Sequence, residues 1–423
     1  MNTADSTPKK VTVIGAGGHV GLPFSLVVAD AGHKVCGVDL NEELILELEE
    51  GNVPYVEHGA AELLAKHLKT ENIFFTTNPS FIKESDIVCI MLGTPVDEEN
   101  NPRLDDLFNF VDNTLIPYMK KDTLVMLRST VSPGTTEILR DRIEEKTKWV
   151  EGVDFYLTFV PERVLQTKGI EETATLPALV GACSIMSFYK ARDFLQTFVK
   201  AEIIRLKARE AEIAKLMTNM YRYVTFALAN EFWMIGEKQG VDMHNVIKAA
   251  NLGYERNAIP LPGPNVGGPC LFKDGRFLLS DIPFADLIQT SFHINEGMPD
   301  YIFNRLKEMN PKIKTVLILG AAFKKDCDDT RNSLSFKMKK VCKKNGAAAY
   351  MWDPYVRTSD QDIKRFDTAT EYDAVIVMTP HSGMDASWPL YKFRKDCIVA
   401  DIWKMYPESK LSSSGIYRVG DIR

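Results

Sequence analysis

Hydrophobic and polar positions in the first part of the chain alternate between short β-rich runs and longer helical patterns. The run at 11–14 is followed by a glycine cluster and then by an apolar helical pattern that ends near Gly32. Further strand-like runs occur at 35–39, 87–91, 124–127 and 155–159. Because strands that alternate with helices form parallel sheets, this region is predicted to be a doubly wound α/β domain.

A long helical pattern follows, from about residue 210 to residue 238. It contains no proline and no glycine before Gly236, and its apolar residues recur near helical spacing. A second α/β pattern begins at 315–320 and continues at 349–352, 374–378 and 398–401. The sequence therefore predicts an α/β protein with two Rossmann-like, doubly wound domains joined by a long central helix. The apolar breadth of that helix indicates a dimer contact.

Composition and charge narrow the class of protein. The chain has 423 residues, enough for two or three domains, and its 45% hydrophobic and 26% charged residues are typical of soluble globular proteins. A formal charge of -6 gives no overall attraction to nucleic acid or to an anionic membrane. No apolar stretch has the length of a signal peptide or a bilayer span, so a cytosolic location is expected, with no membrane partner and no nucleic-acid partner.

The cysteines argue against a disulfide framework and against a zinc site. There are seven of them, scattered along the chain and without any CxxC pair. The sequence therefore predicts no metal site. Most of these cysteines are expected to be small core residues.

A glycine-rich turn at 15–21 lies where the first strand meets the first helix. There, glycines let a pyrophosphate approach the backbone N–H groups of a helix N-terminus. The strict dinucleotide pattern would place its third glycine at position 20, which is Val20, so Gly21 serves only in a turn one residue longer. A purely structural tight turn is the alternative. Asp39, at the end of the second strand, favours NAD because a carboxylate accepts hydrogen bonds from ribose hydroxyls and repels a 2′-phosphate.

A second candidate site surrounds a Gly/Pro-rich loop at 262–270 that ends in Cys270 and precedes Lys273 and Asp274. The loop has few side chains and leaves room for a ligand beside the sulfur. The alternative is a linker that ends in a buried thiol. On the long helix, Lys215 and Asn219 are four residues apart and share a face, where they form either an oxyanion site or an exposed polar stripe.

Short motifs in a fixed order connect these features. They are Val20-Gly21-Leu22-Pro23, Gly93-Thr94-Pro95, the run from Ser129 to Thr135, Pro161-Glu162, the pair Lys215 and Asn219, the loop Gly267-Gly268-Pro269-Cys270, Lys273-Asp274, and Phe323-Lys324-Lys325-Asp326 leading to Asp329-Thr330-Arg331. On these motifs the chain resembles the UDP-glucose/GDP-mannose dehydrogenase family over nearly its whole length. Two residues depart from the pattern: Pro269 stands where Ser or His usually precedes the cysteine, and Trp403 stands where an arginine is common.

The resemblance implies an NAD-binding Rossmann domain at 1–208, a central helical dimerisation domain with the cysteine loop at 209–308, and a C-terminal Rossmann-like UDP-binding domain at 309–423. It implies a homodimer and a role in surface polysaccharide synthesis. The residues implied in NAD binding are Gly15, Gly17, Gly18, Val20, Gly21, Asp39, Thr94, Thr130 and Arg331. Those implied in substrate binding are Glu162, Arg163, Lys215, Asn219, Arg256, Pro262, Gly263, Gly267, Phe323 and Lys324.

The implied reaction is the NAD-dependent, four-electron oxidation of the C6 hydroxyl of a UDP-hexose to a uronic acid. Cys270 would add to the aldehyde and form first a thiohemiacetal and then a thioester. Lys215 and Asn219 would stabilise the oxyanion, Asp274 and Thr130 would position water or assist proton transfer, and Glu162 would be the base for thioester hydrolysis.

The segments 161–164 and 262–264, with Arg256, look closest to enzymes that act on UDP-N-acetylhexosamines, notably UDP-N-acetylmannosamine. A UDP-glucose 6-dehydrogenase is the alternative within the family. Two alternatives come from other classes. A one-step hydroxyacid dehydrogenase would leave Cys270 and the second α/β domain unexplained. An inactive nucleotide-sugar binding protein would have only the departures at Pro269 and Trp403 in its support.

Overall fold

The computed structural model describes residues 7–279, 282, 285–356, 371–384, 393–406 and 415–418. Its contacts divide the chain into two compact units. The first contains Met1–Thr218 with Arg276–Asp281, and the second contains Asn219–Gly275 with Ile282–Arg423. One boundary between the units falls inside the long helix that the sequence predicts.

The first unit is built on an eight-stranded sheet. Its strands are β1 (Lys10–Ile14), β2 (Lys34–Val38), β3 (Ile73–Thr76), β4 (Ile87–Ile90), β5 (Leu124–Leu127), β6 (Tyr156–Phe159), β7 (Ala178–Ala182) and β8 (Ile203–Lys207). The order is β3-β2-β1-β4-β5-β6-β7-β8, and neighbouring strands are parallel except for the antiparallel pair β6 and β7. The order from β3 to β6 is that of a Rossmann domain, as the sequence predicted.

Helices cover the first sheet. They are α1 (Gly21–Asp30), α2 (Glu42–Glu49), α3 (Ala60–Lys69), α4 (Asp105–Phe110), α5 (Ile116–Tyr118), α6 (Thr135–Thr147), α7 (Gly169–Thr175) and α8 (Ile185–Leu195), with a 3₁₀ turn at Pro79–Glu84 and a π turn at Val111–Leu115. Strands β1, β4 and β5 are buried along almost their whole length, and alternate side chains of each belong to two different hydrophobic clusters. A strand that is buried on both faces has a continuous apolar sequence. This pattern is why β1, β4 and β5 were predicted.

Strands β3, β7 and β8 were not predicted from the sequence. Strand β7 has the sequence Ala-Leu-Val-Gly-Ala, whose small residues have low β propensity, and β8 is a half-exposed edge strand with charged residues. The antiparallel pairing of β7 with β6 also differs from the purely parallel sheet that was expected. Added edge strands commonly run antiparallel on an otherwise parallel sheet.

The second unit has its own parallel sheet. The helices are α9 (Ala208–Gln239), which begins in the first unit, α10 (Met243–Asn251), α11 (Leu271–Leu279), α12 (Asp286–Met309) and α13 (Leu334–Lys344). The described strands are β9 (Thr315–Leu319), β10 (Ala348–Trp352), β11 (Tyr372–Val377), β12 (Phe393–Ala400) and β13 (Gly415–Tyr417), in the order β10-β9-β11-β12-β13. The predicted second doubly wound unit and the predicted long helix are therefore present. No helix in the described ranges is long and apolar enough to cross a membrane.

A buried carboxylate connects the C-terminal strand β13 to the end of helix α9. Glu237 accepts hydrogen bonds from the indole N–H of Trp233 at 3.0 Å, from the hydroxyl of Tyr417 at 2.5 Å and from the hydroxyl of Tyr301. Its side chain is only 3% exposed. Because a buried charge that loses its partners is strongly destabilising, β13 is an integral part of the second unit.

Candidate active site

The first sheet reverses its strand order between β1 and β4, and ligands of doubly wound folds bind at such a point, beyond the carboxyl ends of the strands. Gly15 follows β1 directly. Its N–H donates to the carbonyl of Val38 at 2.8 Å, its φ is +80°, and a Cβ there would lie 2.6 Å from the carbonyl oxygen of Met91. Only glycine satisfies both the backbone conformation and this close approach.

The other glycines of the turn have different roles. A Cβ at Gly21 would lie 2.1 Å from the carbonyl oxygen of Gly15, so Gly21 lets helix α1 pack closely on the turn. This is the role of the third glycine in a dinucleotide fold, which the sequence assigned to Gly21 in a longer turn. Gly18 is exposed, and a Cβ there would meet nothing closer than 3.6 Å. The protein itself therefore does not require a glycine at position 18, and the space there is open to a ligand.

Asp39 follows strand β2 directly and lies beside the glycine turn. Its Oδ2 accepts a hydrogen bond from the N–H of Gly17 at 3.1 Å, and its Oδ1 accepts one from the N–H of Asn41 at 3.2 Å. Each carboxylate oxygen has further acceptor capacity. Helix α1 begins after Val20 without a side-chain cap and without an acidic residue in its first turn. The open glycine, the uncapped helix and the half-exposed carboxylate together fit a dinucleotide.

Two further predicted NAD residues meet beyond strands β4 and β5. The hydroxyl of Thr94 donates to the backbone carbonyl of Thr130 at 2.6 Å, and Thr94 is buried. The hydrogen bond joins the segments that follow strands β4 and β5. The assignment of Thr94 and Thr130 to the cofactor stays a prediction.

Glu162 lies after β6 and is held more firmly than the sequence indicated. Its Oε2 forms an ion pair with the buried guanidinium of Arg128, and its Oε1 accepts the N–H groups of Arg163 at 2.8 Å and Val164 at 3.0 Å. The Arg128 guanidinium also stacks on the ring of Phe24, 4.3 Å from its centre. Sequence reasoning did not select Arg128, although a charged residue directly after an apolar strand and directly before the Ser129 to Thr135 motif was a usable signal.

Cys270 is exposed and directly precedes helix α11, whereas the other six cysteines are buried or half-buried. The expectation that most cysteines are core residues is therefore confirmed, and Cys270 is the exception. The alternative of a linker that ends in a buried thiol is wrong for this residue. A thiol at a helix N-terminus lies in a positive field that favours the nucleophilic thiolate.

A buried polar group accompanies this cysteine. Asp274, one turn into α11, is fully buried and accepts a hydrogen bond from the side-chain amide of Asn219 at 2.6 Å. The ammonium group of Lys273 lies 3.2 Å from its other oxygen. Asn219 is therefore a buried residue rather than part of an exposed stripe. Lys215, one helical turn earlier, is half-buried.

Arg331 contributes positive charge on the same side of the second unit. It pairs with the buried Asp329 through Nε at 3.0 Å and Nη2 at 2.6 Å. The hydrogen bond that Arg331 donates to Asp329, and then the negative charge of Asp329, raise the pKa of Arg331 above its ordinary value. The family resemblance assigned Arg331 to NAD binding. Arg331 belongs to the second unit, whereas the glycine turn belongs to the first.

The glycines of the cysteine loop are in tight contact with the C-terminal segments of the second unit. A Cβ at Gly263 would lie 2.3 Å from the ring of Trp403, and one at Gly267 would lie 2.5 Å from the carbonyl oxygen of Asn332. Gly268, with φ +100°, packs against the ring of Phe323. Trp403, which departs from the family pattern, is therefore a packing partner of this loop.

The remaining predicted substrate residues lie in different places. Pro262 is buried and Lys324 is half-buried. Arg163 donates to the backbone carbonyl of Pro177, and the guanidinium of the exposed Arg256 lies 4.8 Å above the ring of Tyr254. The structure brings Pro262, Gly263, Gly267, Cys270 and Phe323 together around one loop. Asn265 of the same loop, which the sequence did not single out, makes the most side-chain hydrogen bonds within it.

Comparison with protein families covers most of the chain. Residues 9–198 match the NAD binding domain of the UDP-glucose/GDP-mannose dehydrogenase family, residues 209–296 match its central domain, and residues 317–408 match its UDP binding domain. The three domains of one family thus match in order along the chain. Together they account for the two sheets, the long helix and the cysteine loop.

Individual relatives agree. A UDP-N-acetyl-D-mannosamine dehydrogenase of Pyrococcus horikoshii is 32% identical over 379 residues, which cover 88% of this chain and 89% of the relative. A solved UDP-D-ManNAc dehydrogenase structure from the same organism has a TM-score of 0.89 and 30% identity, covering 97% and 99% of the two chains. The UDP-N-acetyl-mannosamine dehydrogenase of Staphylococcus aureus has a TM-score of 0.84 and 28% identity, covering 97% and 98%.

A Rossmann unit with an open glycine turn, a second doubly wound unit that carries an exposed cysteine, and family matches along the chain lead to one conclusion. The chain belongs to the UDP-glucose/GDP-mannose dehydrogenase family, whose members are NAD-dependent nucleotide-sugar dehydrogenases.

Proposed function

We propose that the protein oxidises the C6 hydroxyl of a UDP-N-acetylhexosamine, with UDP-N-acetylmannosamine as the first candidate, to the uronic acid through a thioester on Cys270. The observation that carries the proposal is the exposed Cys270 at the start of α11, beside the buried group formed by Asn219, Asp274 and Lys273. The names of the relatives support the choice of sugar. The likeness of domain order supports the division at 1–208, 209–308 and 309–423.

The chemistry needs two oxidations at one carbon. NAD, when bound at the glycine turn, would supply the hydride acceptor for each oxidation, so two NADH are expected for each sugar. After the first oxidation the Cys270 thiolate adds to the aldehyde carbon, and the new C–S bond keeps the aldehyde from leaving. Loss of the second hydride from the thiohemiacetal gives the thioester. Water then attacks the thioester carbon, and the C–S bond breaks to give the carboxylate and the thiolate.

The side chains around Cys270 fit the charge that develops on oxygen. The Nδ2 of Asn219 carries two N–H groups, of which one donates to Asp274. We assign the second N–H to the oxyanion, together with the ammonium group of Lys215 from the same helix. Asp274 then holds the amide in position rather than reacting itself, and removing one such donor typically costs about 3 to 4 kcal/mol of barrier.

Glu162 has hydrogen-bond partners that the sequence did not indicate. Its carboxylate is paired with Arg128 and accepts two backbone N–H groups, so both of its oxygens are held in fixed directions. We propose that Glu162 orients substrate or water as a hydrogen-bond acceptor, as an alternative to the general base expected from the sequence. Intact-mass measurement during turnover tests this role: Glu162→Gln should accumulate a covalent sugar adduct, and its absence would count against it.

The decisive experiment counts NADH formed per sugar consumed. Limiting UDP-N-acetylmannosamine, UDP-N-acetylglucosamine, UDP-N-acetylgalactosamine or UDP-glucose is supplied with excess NAD. Two NADH per sugar with one substrate supports the proposal and identifies the sugar. A single NADH points to a one-step dehydrogenase. Cys270→Ala should lose acid formation but still bind NAD and UDP, whereas the control Cys183→Ala, which changes a half-buried thiol of the first unit, should keep it.

We also propose a homodimer that forms through helix α9. Its exposed residues Met217, Tyr221, Leu228 and Ile235 lie within a narrow sector of the helix. An apolar stripe on a soluble surface indicates a partner, and a second copy can cover it with the same stripe. Light scattering should report a dimer for the wild type and a monomer for Tyr221→Glu with Leu228→Glu. A monomeric wild type would exclude the proposal.

A cytosolic location is likewise proposed. The cysteines are mostly buried thiols and show no pattern of a disulfide framework, which fits a reducing compartment.

A further inference from the structure

Asn265 lies in the middle of the cysteine loop, and its side chain contacts three separate segments of the second unit. Its Nδ2 is 3.1 Å from the carbonyl oxygen of Ala322, after β9, and 2.9 Å from the hydroxyl of Thr379, after β11. Its Oδ1 accepts the N–H of Leu334 at 2.8 Å, where helix α13 begins. One short amide thus joins the loop to two strand ends and one helix start.

The partners determine which way the amide points. The N–H of Leu334 can only donate and the carbonyl of Ala322 can only accept, so a flipped amide would set oxygen against oxygen and N–H against N–H. The same Nδ2 is 3.1 Å from the hydroxyl of Ser333, which caps α13. The side chain is therefore held in a single orientation.

The contacts of Asn265 lie at the point where the second sheet reverses its strand order. Strands β9 and β11 are neighbours in the order β10-β9-β11-β12-β13, and this carboxyl edge is where a doubly wound unit binds its ligand. The predicted substrate residues Phe323 and Lys324 follow Ala322 directly. Asn265 therefore touches the turn that is proposed to hold the nucleotide of the substrate.

The path from Asn265 to the sulfur is short and tightly packed. Gly268 donates its N–H to the carbonyl of Asn332 at 3.1 Å, and neither Gly267 nor Gly268 has room for a Cβ. Cys270 follows two residues later, at the start of α11. A shift of the turn at Ala322 or Thr379 would therefore move the loop and the position of the thiol.

We infer that Asn265 is a positioning residue that couples occupation of the nucleotide turn to the placement of the Cys270 sulfur. This inference rests on the proposed function, because it assumes that UDP binds at that turn and that Cys270 reacts. Asn265 does not touch the reacting atoms. It makes the nucleotide half of the substrate a condition for correct presentation of the nucleophile, which fits a dehydrogenase that binds a nucleotide sugar rather than a bare sugar.

The test measures alkylation of Cys270 by iodoacetamide in the full-length protein, with and without saturating UDP. Peptide mass spectrometry separates Cys270 from the other six cysteines. UDP lacks the hexose, so it reports the coupling without the group that would occupy the space at the sulfur. In the wild type UDP should change the alkylation rate at least about fivefold, the lower end of typical coupling between sites. In Asn265→Ala the rates with and without UDP should converge, although calorimetry still shows UDP binding.

Two further variants sharpen the result. Asn265→Asp keeps the size of the side chain but sets an oxygen against the carbonyl of Ala322, so it should uncouple as Asn265→Ala does and lower kcat more than it raises KM. The control Asn245→Ala, on an exposed position of α10, should behave as the wild type. Should Asn265→Ala fail to fold, Thr379→Val removes one partner of Nδ2 and should show the same convergence of rates.

The outcomes separate the inference from the proposed function. If UDP binds the wild type but leaves its alkylation rate unchanged, or changes it equally in a folded Asn265 variant, the coupling is wrong and the nucleotide site stands. If UDP does not bind the wild type at all, the proposed function itself fails.

Discussion

The two sheets have the same turn after their first strand, but the aspartate next to the turn is half-exposed in the first sheet and buried in the second. Gly15 follows β1 and donates its N–H to Val38 at 2.8 Å. Gly320 follows β9 and donates its N–H to Trp352 at 2.8 Å. Both have a positive φ, and a Cβ at either would lie 2.5 to 2.6 Å from a residue just beyond the neighbouring strand, Met91 one residue after β4 or Thr379 two residues after β11. The backbone framework is therefore repeated in the two units.

The aspartates next to these turns differ in exposure and in their hydrogen bonds. Asp39 is half-exposed and accepts one hydrogen bond on each oxygen. Asp353, its counterpart after β10, is buried and accepts from the N–H groups of Ala321 and Ala322, from those of Tyr355 and Val356, and from the ring of His381. The saturated carboxylate has no capacity left for a ribose. The same backbone framework thus has a half-exposed aspartate in the first unit and a buried, fully hydrogen-bonded aspartate in the second.

The largest expected effect is a loss of stability when the buried Asp353 is replaced. Asp353→Ala should lower the free energy of unfolding of the second unit by about 3 to 5 kcal/mol, because it leaves His381 and four backbone N–H groups without their acceptor. Hydrogen exchange of peptides from 315–356 localises the loss. Asp39→Ala is the matched change and should cost less than about 1 kcal/mol. Equal losses would mean that the two aspartates are not used differently.

The next largest effects are expected for two glycines of the first turn, Gly21 and Gly18. Gly21→Ala places a methyl group 2.1 Å from the carbonyl oxygen of Gly15 and should destabilise the first unit by about 1 to 3 kcal/mol. Gly18→Ala meets nothing closer than 3.6 Å, so it should leave the melting temperature nearly unchanged while weakening NAD binding. Thermal denaturation without NAD and calorimetry with NAD separate the two effects. A strong loss of stability in Gly18→Ala would contradict the open space described at that position.

Replacing the half-exposed Asp39 should change the affinity for NAD rather than the stability of the first unit. Asp39→Asn should raise the Kd for NAD about tenfold, which corresponds to about 1.4 kcal/mol, and should reduce the preference for NAD over NADP. Isothermal calorimetry on the protein without substrate gives both values. Glu43→Gln, an exposed change nearby in α2, is the control. Unchanged affinities for both cofactors would remove Asp39 from the ribose site.

The smallest effect is on pH dependence. Burial acts to raise the pKa of Asp353, but the hydrogen bond and charge of His381 and the backbone N–H groups outweigh it, so the pKa is lowered from its ordinary value of 3.8. The stabilisation is complete above about pH 4 and is lost as the pH falls toward the lowered pKa, at up to about 1.4 kcal/mol per pH unit. Urea unfolding at pH 5, 4 and 3 should show a smaller acid loss for Asp353→Asn than for the wild type. Parallel curves would contradict this origin.

The features that could be predicted are those that depend on residues close together in the sequence. Periodicity revealed the buried strands and the long helix, and motif order revealed the family. The turn residues Gly15 and Gly21 and the acceptor Asp39 lie close together in sequence, and the structure brings them together at one turn.

Contacts between distant segments were not predictable in this way. Asn265 bonds to Thr379, 114 residues away, and Arg128 pairs with Glu162, 34 residues away. Neither spacing follows a period, and each partner is an ordinary polar residue by itself. The sequence named Glu162 but not its ion pair with Arg128, and the catalytic role of Glu162 stays a prediction.

The hydrogen bonds of Glu237 also determine when the protein can finish folding during its synthesis. The strands of the first sheet are complete once Lys207 has been made, whereas Glu237 needs Tyr417, and the buried Asp401 accepts from Arg418 at 3.2 Å. A ribosome that adds about 5 to 20 residues per second needs roughly 10 to 40 s for that interval. During this time the first sheet has all of its strands, whereas Glu237 still lacks one of its hydrogen-bond donors and the second sheet lacks strand β13. That interval is when a chaperone would be most useful to this enzyme.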